Sequence, residues 1–480
     1  MKRAHLQAAI LGFLPLLAVG CGGGGGAVTT LSGNTSVVLL ASSTANDQLV
    51  EFPLALGSLT LTSQSGKTVT LFSAPVSAEF IHLNGNIEPL TTVSIPQDTY
   101  TSAAATYGGS APVCVGLQSS SSGLLIDGAL NDGPGTPSVT VNLPQPITVT
   151  GTAMGLVLNL QISKSAPFSS ACAQNLSVPV SPVFDLTAME IAAQPTNSTN
   201  GKALGLEGAI TSVDATGTEF TVGAPVGYWN GNPPTWQVST NSSTVFQGIG
   251  SAAALSAGMP VDMDVALQQD GTLMATRVAV YDTDATNLSL SVGQLMEAGP
   301  SQSTVNGLTG QMVGQLSSLT DEFGYGNATS QVSGQFTNLQ SLPFAATFSA
   351  ASAVAGQNVM VTSNAPPMDG YPPLPLPIAT MTLMPQTIDG TVSAISTSGG
   401  ITAYTVALAP YDLFTELAGQ PGQPTLTSPG TVVVYADSNT QMLNSGSIAA
   451  GGVFRFYGVV FNDNGTLRMD SAAVYDGVAE

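Results

Sequence analysis

The sequence predicts an all-β fold, with an N-terminal β-sandwich followed by three tandem small β-barrel-like modules. The first observation is composition: 43% of residues are hydrophobic and only 8% are charged, which is too apolar for a disordered chain and typical of β-rich extracellular proteins. Second, short alternating apolar runs are separated by turns rich in Gly, Pro, Asn and Ser, and helical periodicity is nearly absent. Third, the C-terminal part of the chain repeats itself.

Residues 1–20 have the pattern of a signal peptide. Lys2 and Arg3 supply its positive charge, residues 8–19 form its apolar core, and small residues precede Cys21. The segment resembles the lipobox of bacterial lipoproteins, which implies that Cys21 carries the lipid. Ala18 stands where that pattern prefers Leu, so ordinary secretion after cleavage remains the alternative. A retained membrane helix is disfavoured because spanning a bilayer takes about 20 apolar residues.

Residues 21–30 form a Gly-rich tether that would hold the body away from the membrane. In lipoproteins of this kind, Asp directly after the cysteine marks retention in the inner membrane, whereas this chain has Gly22. The resemblance therefore implies an exported protein that is anchored by its N-terminal lipid in the outer membrane or at the cell surface.

Charge and residue counts exclude several function classes. Outside the leader, 29 acidic residues face only six basic ones, so the chain repels phosphates and nucleic acid is not an expected partner. His82 is the only histidine that remains, and a lone histidine in a strand is more often hydrogen-bonded than catalytic. A zinc site needs three or four nitrogen or sulfur ligands. The sequence therefore predicts no catalytic residue and no cofactor.

The remaining cysteines are Cys114 and Cys172. An even pair in an oxidising compartment predicts a disulfide, and closing a loop of this length would stabilise the fold by about 4 kcal/mol. Two buried free thiols are the alternative.

Residues 31–192 are predicted to form the β-sandwich domain. The strand candidates are residues 37–40, 58–62, 68–72, 91–95, 100–106, 124–126, 139–143, 147–150 and 156–162. Residues 63–67 join the second and third of these as a hairpin. The polar stretch 193–202 then predicts a linker.

Internal similarity divides the rest into module 1 (residues 203–283), a degenerate module 2 (residues 284–385) and module 3 (residues 386–480). Residues 270–282 align with 464–476 without a gap, and seven of 13 positions are identical. Thr244 aligns with Thr440, and an Ala-Gly pair recurs at residues 257–258, 355–356 and 450–451. Gly271 and Gly465 lie in Asp-Gly and Asn-Gly dipeptides, which favour hairpin turns.

This layout resembles that of bacterial surface lipoproteins of unknown function. In those proteins, a prealbumin-like (transthyretin-like) domain follows the lipobox, and tandem small β modules follow that domain. The strand patterns at residues 37–47 and 95–100 and the strand pair around Gly66 are similar to the first type. Gly208, Thr244, Gly258 and residues 271–273 are similar to the second. These motifs mark turns and strands, so the resemblance implies no catalytic residue.

Two sets of residues are candidates for binding. Asp282, Asp284 and Asn287 cluster oxygen ligands that suit calcium, as do Asp262 and Asp264 on one face of a strand. No EF-hand pattern is present, however, and acidic residues in turns usually make hydrogen bonds to nearby backbone. The sequence therefore predicts no metal site, and these residues are kept only as weak candidates for binding calcium.

Each module also carries an insertion with aromatic residues, which could stack on sugar rings. The stacking candidates are Tyr228, Trp229, Trp236, Tyr325 and Tyr411. The alternative is that these rings pack between adjacent modules and are buried there.

We expect a non-enzymatic, lipid-tethered envelope protein with a structural, adhesive or ligand-binding role, whose partner is a polysaccharide or an envelope protein. The alternative is a secreted carbohydrate-active or carboxylate-dependent hydrolase. A cleft that holds two close acids with raised pKa values would favour the hydrolase.

Overall fold

The structure is a computed structural model that describes residues 31–45, 49–110, 113–116, 124–127, 129–130, 137–165, 179–224, 229–230, 234–283, 289–298, 303–306, 320–324, 328–363, 376–409, 412–418 and 424–477. Strands make up 57% of it and helices 4%. The predicted all-β, multi-module fold class is confirmed, with several sheets and a small five-stranded barrel.

The N-terminal domain is built around two sheets. Its strands are β1 (Asn34–Thr44), β2 (Leu49–Glu51), β3 (Pro53–Ser63), β4 (Thr68–Phe72), β5 (Val76–Glu79), β6 (Ile87–Pro96), β7 (Thr99–Ser110), β8 (Val113–Gly116), β9 (Leu124–Asp127), β10 (Ala129–Leu130), β11 (Ser138–Val141), β12 (Ile147–Thr148), β13 (Ala153–Gln161), β14 (Pro179–Val180) and β15 (Phe184–Met189). One sheet has the order β15-β13-β1-β6. The other has the order β11-β7-β3-β5, with β4 added to β3 and β12 to β7. Two small sheets, β2-β8-β9 and β10-β14, and one helical turn, α1 (Ile162–Ser165), complete the domain.

Strand β1 lies in the middle of its sheet and is buried on both faces. Residues 37–41 form an uninterrupted apolar run, and each is at most 2% exposed. The strand pairs in parallel with β13 and antiparallel with β6. Val38 also lines a groove together with residues 271–273 of module 1. Because module 1 lies against this sheet, β1 is apolar at consecutive positions instead of alternating.

Module 1 is a closed five-stranded barrel. Its strands are β16 (Lys202–Val213), β17 (Glu219–Gly223), β18 (Trp229–Asn230), β19 (Thr235–Ser239), β20 (Val245–Gln247), β21 (Pro260–Leu267) and β22 (Leu273–Val280), with a 3-10 turn at Ala252–Ala254. The order β19-β17-β16-β21-β22 closes because β22 pairs in parallel with β19. Strand β18 lies outside the barrel and pairs with β5, so it extends the larger sheet of the N-terminal domain.

Module 3 repeats this architecture. Its elements are β30 (Gln386–Ser398), β31 (Ile401–Leu408), α2 (Leu413–Glu416), β32 (Thr431–Ala436), β33 (Gln441–Leu443), β34 (Val453–Asp463) and β35 (Thr466–Asp476). The order β32-β31-β30-β34-β35 closes through a parallel pairing of β32 with β35. Strand β33 pairs in parallel with β35, as β20 does with β22 in module 1.

Module 2 is an open version of the same unit. Its elements are β23 (Ser289–Ala298), β24 (Ser303–Asn306), β25 (Thr320–Gly324), β26 (Thr329–Val332), a 3-10 turn at Leu339–Ser341, β27 (Asn358–Ser363), β28 (Leu376–Pro377) and β29 (Thr380–Leu383). The order is β26-β29-β27-β23-β24-β25-β28, and within the described residues β25 pairs with β28 and not with β29.

Aligned residues make the same local structure in the modules. Gly258, Gly356 and Gly451 have φ values of 92°, 96° and 86°, a left-handed conformation that only glycine adopts without strain. Thr244 Oγ1 donates a 2.8 Å hydrogen bond to the carbonyl of Ala275, and Thr440 Oγ1 donates one of the same length to the carbonyl of Ser471. The sequence repeat therefore corresponds to a structural repeat.

The domains share their cores. The N-terminal domain and module 1 contribute to one continuous apolar cluster, and residues 459 and 461 of module 3 belong to the core of module 2. The predicted linker is a compact turn, in which Asn200 Oδ1 accepts the N–H groups of Thr196 and Asn197. No helix among the described residues has the length and apolar character to cross a membrane.

Candidate functional site

Buried charge is concentrated where the N-terminal domain meets all three modules. A cavity of about 80 Å³ lies at this junction, and we call it the junction cavity. Its walls include Glu79, His82 and Glu88 of the N-terminal domain, Glu207 of module 1, Gln294 of module 2 and Tyr457 of module 3.

His82 lies between two buried carboxylates. Strand β5 ends at Glu79, and the chain turns through residues 80–86 before β6 begins. The turn places Nδ1 of His82 3.1 Å from Oε2 of Glu79, and Nε2 lies 3.3 Å from Oε2 of Glu88. The side chains of His82, Glu79 and Glu88 are 7%, 2% and 1% exposed. Such deep burial makes the imidazole and the two carboxylates depend on one another for charge balance.

The electrostatics of this pair of contacts favour an imidazolium. Burial alone would lower the pKa of His82, but the charge of Glu88 and the hydrogen bonds that the imidazole donates to both glutamates outweigh it and raise the pKa to about 9. His82 is therefore a cation at neutral pH and is not available there as a general base.

Glu79 is fixed by the backbone that surrounds it. It accepts N–H groups from Phe52 at 2.9 Å, Ile81 at 2.6 Å and His82 at 2.8 Å. A carboxylate that accepts several backbone N–H groups holds a turn in place, so the geometry indicates a structural role for Glu79.

Module 3 forms hydrogen bonds to the same turn, at residues 84 and 85. Arg455 Nη1 donates to Oδ1 of Asn84 at 2.8 Å, and Thr387 Oγ1 donates to the carbonyl of Asn84 at 2.5 Å. The hydroxyl of Tyr475 donates to the carbonyl of Gly85 at 2.6 Å. The N-terminal domain and module 3 are thus joined by buried hydrogen bonds across about 300–390 residues of sequence.

A second buried ion pair lies within module 1 and is hydrogen-bonded to module 2. Asp262 and Asp264 share one face of β21, and Arg277 of the paired strand β22 reaches them at 2.8 and 3.1 Å. Oδ2 of Asp262 also accepts hydrogen bonds from Tyr281 at 2.7 Å and from Ser333 of module 2 at 2.9 Å. Burial would lower the pKa of Arg277, but both aspartates outweigh that and raise it above its ordinary value. These two aspartates therefore neutralise a guanidinium.

A long groove runs between the N-terminal domain and module 1. Its volume is about 710 Å³, and its polar lining includes Thr91, Thr92, Glu219, Thr235, Gln237 and Thr272. Trp236 also lines it, and its indole Nε1 donates to the carbonyl of Pro89 at 2.7 Å. We call it the module 1 groove.

A third cavity of about 300 Å³ lies between the modules and contains Asp437 and Asp470. Burial, together with the charge of Asp437, raises the pKa of Asp470 to about 6. Asp437 accepts the N–H of Asn439 at 2.7 Å in a local turn.

The structure describes only some of the aromatic candidates. Trp236 is 3% exposed and packs between the N-terminal domain and module 1, which matches the alternative interpretation of buried packing. Trp229 lies in β18, and its backbone pairs with Ala78. Tyr228, Tyr325 and Tyr411 lie outside the described residues.

The metal and disulfide candidates are described only in part. Asp282 accepts a hydrogen bond from Thr362 Oγ1 at 2.8 Å, whereas Asp284, Asn287, Cys21 and Cys172 lie outside the described residues. Cys114 lies in β8. In the part of the chain that the structure describes, no group of three or more His, Cys, Asp or Glu is arranged to hold a metal ion.

Sequence reasoning missed most of the junction. It treated His82 as a lone polar residue, and it did not connect Arg455 or Tyr457 with the N-terminal domain. The available signal was the small number of arginines, because the chain has only four and a buried ion pair is the usual reason for a rare charge in an apolar strand.

Comparison with known proteins identifies one segment. Residues 207–279, which cover most of module 1, match the family model described as Domain of unknown function (DUF5666). No curated protein matches the chain. Module 1 therefore contains a DUF5666 domain of unknown function, and module 3 has the same strand order.

Proposed function

We propose that the chain is a non-catalytic, lipid-anchored protein of the bacterial envelope that binds an extended, uncharged polysaccharide in the module 1 groove. The observation that carries this proposal is the groove itself, with its volume of about 710 Å³ and its lining of hydroxyl and amide side chains. Ligand sites in proteins typically measure about 300–1,000 Å³.

The lining chemistry supports a sugar ligand. Strand β19 alternates, so that Thr235 and Gln237 are exposed while Trp236 and Val238 are buried. The exposed pair can exchange hydrogen bonds with sugar hydroxyls, because hydroxyls and amides both donate and accept. Trp236 contributes by fixing the wall through its bond to Pro89, and its buried ring offers little area for stacking.

Charge supports an uncharged ligand. Glu219 is the only ionised side chain among the described residues that line the groove. The chain has 29 acidic residues, so the surrounding field repels anionic polysaccharides.

The rigid junction supports a binding role over a catalytic one. Around His82, Glu79 accepts three backbone N–H groups as well as the imidazole. Beside Arg277, Asp262 likewise accepts hydrogen bonds from Tyr281 and Ser333. Side chains that fix neighbouring domains in this way preorganise the walls of a groove between them.

The test is a binding screen of the mature chain against neutral and anionic polysaccharides. Gln237→Ala should weaken binding about fivefold, which corresponds to about 1 kcal/mol for one neutral hydrogen bond. Thr431→Ala is the matched control, because Thr431 begins the corresponding strand of module 3 and does not line the groove. Undiminished glycan binding by Gln237→Ala and by Thr235→Ala contradicts the proposed site.

The membrane anchor has its own test. Growth of the source cells with labelled palmitate should label the protein, and Cys21→Ala should abolish the label. An unlabelled native protein contradicts the anchor and leaves the groove proposal untouched.

One observation favours a carboxylate-dependent hydrolase as a second candidate. Asp470 lies in a cavity with Asp437, and burial raises its pKa to about 6, which suits a general acid near neutral pH. Turnover of a glycoside or ester that Asp470→Asn abolishes would favour the hydrolase. No turnover, or turnover that survives Asp470→Asn, would leave the binding protein as the better proposal.

A further inference from the structure

We propose that residues 336–344 of module 2, which we call the strap, close over Asp470 of module 3 at acidic pH and lift away from it as the pH rises. The motion opens and closes the cavity of about 300 Å³ between the modules. The strap is separate from the module 1 groove, and nothing in the proposed polysaccharide binding depends on it.

The backbone of the strap is attached only to itself. It is irregular chain between β26 and β27, with one 3-10 turn at Leu339–Ser341. The N–H groups of residues 336, 341 and 342 each donate to a carbonyl three residues earlier. Among the described residues, no hydrogen bond joins the strap to module 3. A segment held in this way can open without unfolding a sheet.

Aromatic packing holds one end of the strap on module 3. The centre of the Phe344 ring lies 5.3 Å from that of Tyr435 and 5.6 Å from that of Phe461. The guanidinium of Arg468 lies 5.4 Å from the centre of the same ring. Phe344 is therefore the main contact that a lifting strap must break.

The rest of the strap covers Asp470. Residues 336–338 line the cavity of about 300 Å³ together with Asp437 and Asp470. Parts of the turn at residues 338–342 and the same two aspartates also line a smaller cavity of about 10 Å³. Asp470 is partly buried there, and its carboxyl group makes no hydrogen bond or ion pair within the described residues.

The neighbouring acid opposes ionisation of Asp470. Strand β35 pairs in parallel with β32 and places Asp470 opposite Tyr435, so that Asp437 follows two residues beyond the paired position. The backbone N–H and the side-chain amide of Asn439 both donate to Asp437, at 2.7 and 3.2 Å. Burial, together with the charge of Asp437, raises the pKa of Asp470 to about 6. Under the closed strap, Asp470 is therefore neutral below that pH and charged above it.

No ion pair balances this charge. Arg468, on the same face of β35, is paired with Asp463 at 2.7 Å. Lys202 and Asp264 of module 1 also line the cavity; Lys202 forms no ion pair within the part of the chain that the structure describes, and Asp264 is paired inside module 1. The strap contains no titratable side chain. Because an ionised carboxylate is costly to bury without a partner, ionisation favours the open strap, in which water reaches Asp470.

The two pKa values set the size of the effect. The pKa of Asp470 is about 6 under the closed strap, and its ordinary value is 3.8. The ratio of open to closed strap is therefore lowest below pH 3.8, rises between the two values and levels off above about pH 6. The whole change is at most about a hundredfold, because each unit between the two pKa values contributes a factor of ten.

The test is amide hydrogen exchange of the full chain, measured by mass spectrometry on peptides of the strap between pH 4 and pH 8. Wild type is compared with Asp470→Asn at each pH, which removes the intrinsic pH dependence of exchange. At pH 8 the strap should exchange faster in wild type, by up to about a hundredfold, and at pH 4 the two proteins should be nearly equal. Equal exchange at pH 8, or a difference that is the same at both pH values, overturns the proposal.

A second comparison separates local opening from unfolding. In wild type at pH 8, the amides of the strap should exchange well before those of β31 in the barrel of module 3. Exchange of both at one rate would mean that the strap opens only when the module unfolds, which overturns the proposal.

Variants check the anchor and the acid. Phe344→Ala removes the ring contacts, so exchange of the strap should rise at pH 4 as well as at pH 8. Asp185→Asn is the matched control, because Asp185 belongs to β15 of the N-terminal domain and does not line the cavity; it should follow wild type at every pH. Near-ultraviolet circular dichroism checks that each variant is folded. A folded Phe344→Ala protein with wild-type exchange, or an Asp185→Asn protein that behaves like Asp470→Asn, overturns the proposal.

Discussion

Replacement of His82 by Gln should destabilise the protein, and the loss should depend on pH. Gln can still fill the space and bond one glutamate, but it carries no charge. Glu79 and Glu88 would then remain buried, at 2% and 1% exposure, without the imidazolium that lies 3.1 and 3.3 Å from them. Loss of one partner from a buried ion pair leaves an uncompensated charge.

The magnitude follows from the pKa of His82. Its value rises from 6.5 to about 9 because the two glutamates outweigh the opposing effect of burial. Each pKa unit corresponds to 1.36 kcal/mol, so the ion pairs contribute about 3 kcal/mol to the free energy of unfolding. Because the folded-state pKa is the higher one, this contribution is fully present below pH 6.5 and is lost as the pH rises through about 9.

Two measurements test this contribution of His82 to stability. The chain has two histidines, His5 and His82, so the imidazole resonances that disappear in His82→Gln belong to His82, and their titration in the wild type gives its pKa by nuclear magnetic resonance. Urea unfolding of wild type and His82→Gln should differ by about 3 kcal/mol at pH 6, and the difference should shrink above pH 9. Comparing the two proteins at each pH cancels the titration of groups that His82 does not contact. An imidazole that titrates near pH 6.5, or a stability difference that is the same at pH 6 and pH 10, refutes the reasoning.

Three further predictions concern other parts of the structure. Arg277→Met should lower the free energy of unfolding by about 3–5 kcal/mol, because Asp262 keeps a buried charge; a loss below about 1 kcal/mol in urea unfolding contradicts this. Asp470→Asn should stabilise the protein at pH 8 by up to about 3 kcal/mol, since the stability linked to its protonated form is present below pH 3.8 and lost as the pH rises through about 6. The increase in melting temperature that Asp470→Asn causes should vanish at acidic pH. An increase that is the same at every pH contradicts the prediction. Asn464→Ala should cost about 1–2 kcal/mol, because residue 464 has φ of 51°; an unchanged melting temperature would mean that the turn adapts.

The sequence was most informative where structure is local. The aligned residues Thr244 and Thr440 make the same hydrogen bond, because an identical local backbone needs an identical side chain. Gly208 and Gly390 are also aligned, and a Cβ atom at either would lie within 2.5 Å of a carbonyl oxygen on the next strand. Close backbone contact inside a small barrel therefore explains why this position is glycine in both modules.

The sequence was least informative about contacts between domains. Nothing local to residues 84–85 indicates that module 3 supplies Arg455 and Tyr475 to that turn. Trp236 illustrates the same limit, since an aromatic residue in an insertion suits stacking on a ligand and packing against a neighbouring domain equally well. Only the three-dimensional arrangement distinguishes these uses, because the partner, Pro89, lies 147 residues away.

The placement of the few cations connects the junction to the surface. All three arginines of the described chain make intramolecular contacts: Arg277 with two aspartates, Arg455 with Asn84, and Arg468 with Asp463 at 2.7 Å. A chain with 29 acidic residues thus uses its strongest cations to hold strands and domains together, and its surface keeps a strongly negative potential. Anionic partners are repelled by such a surface, whereas neutral and cationic ones can approach it. The same distribution of charge therefore favours an uncharged ligand in the module 1 groove.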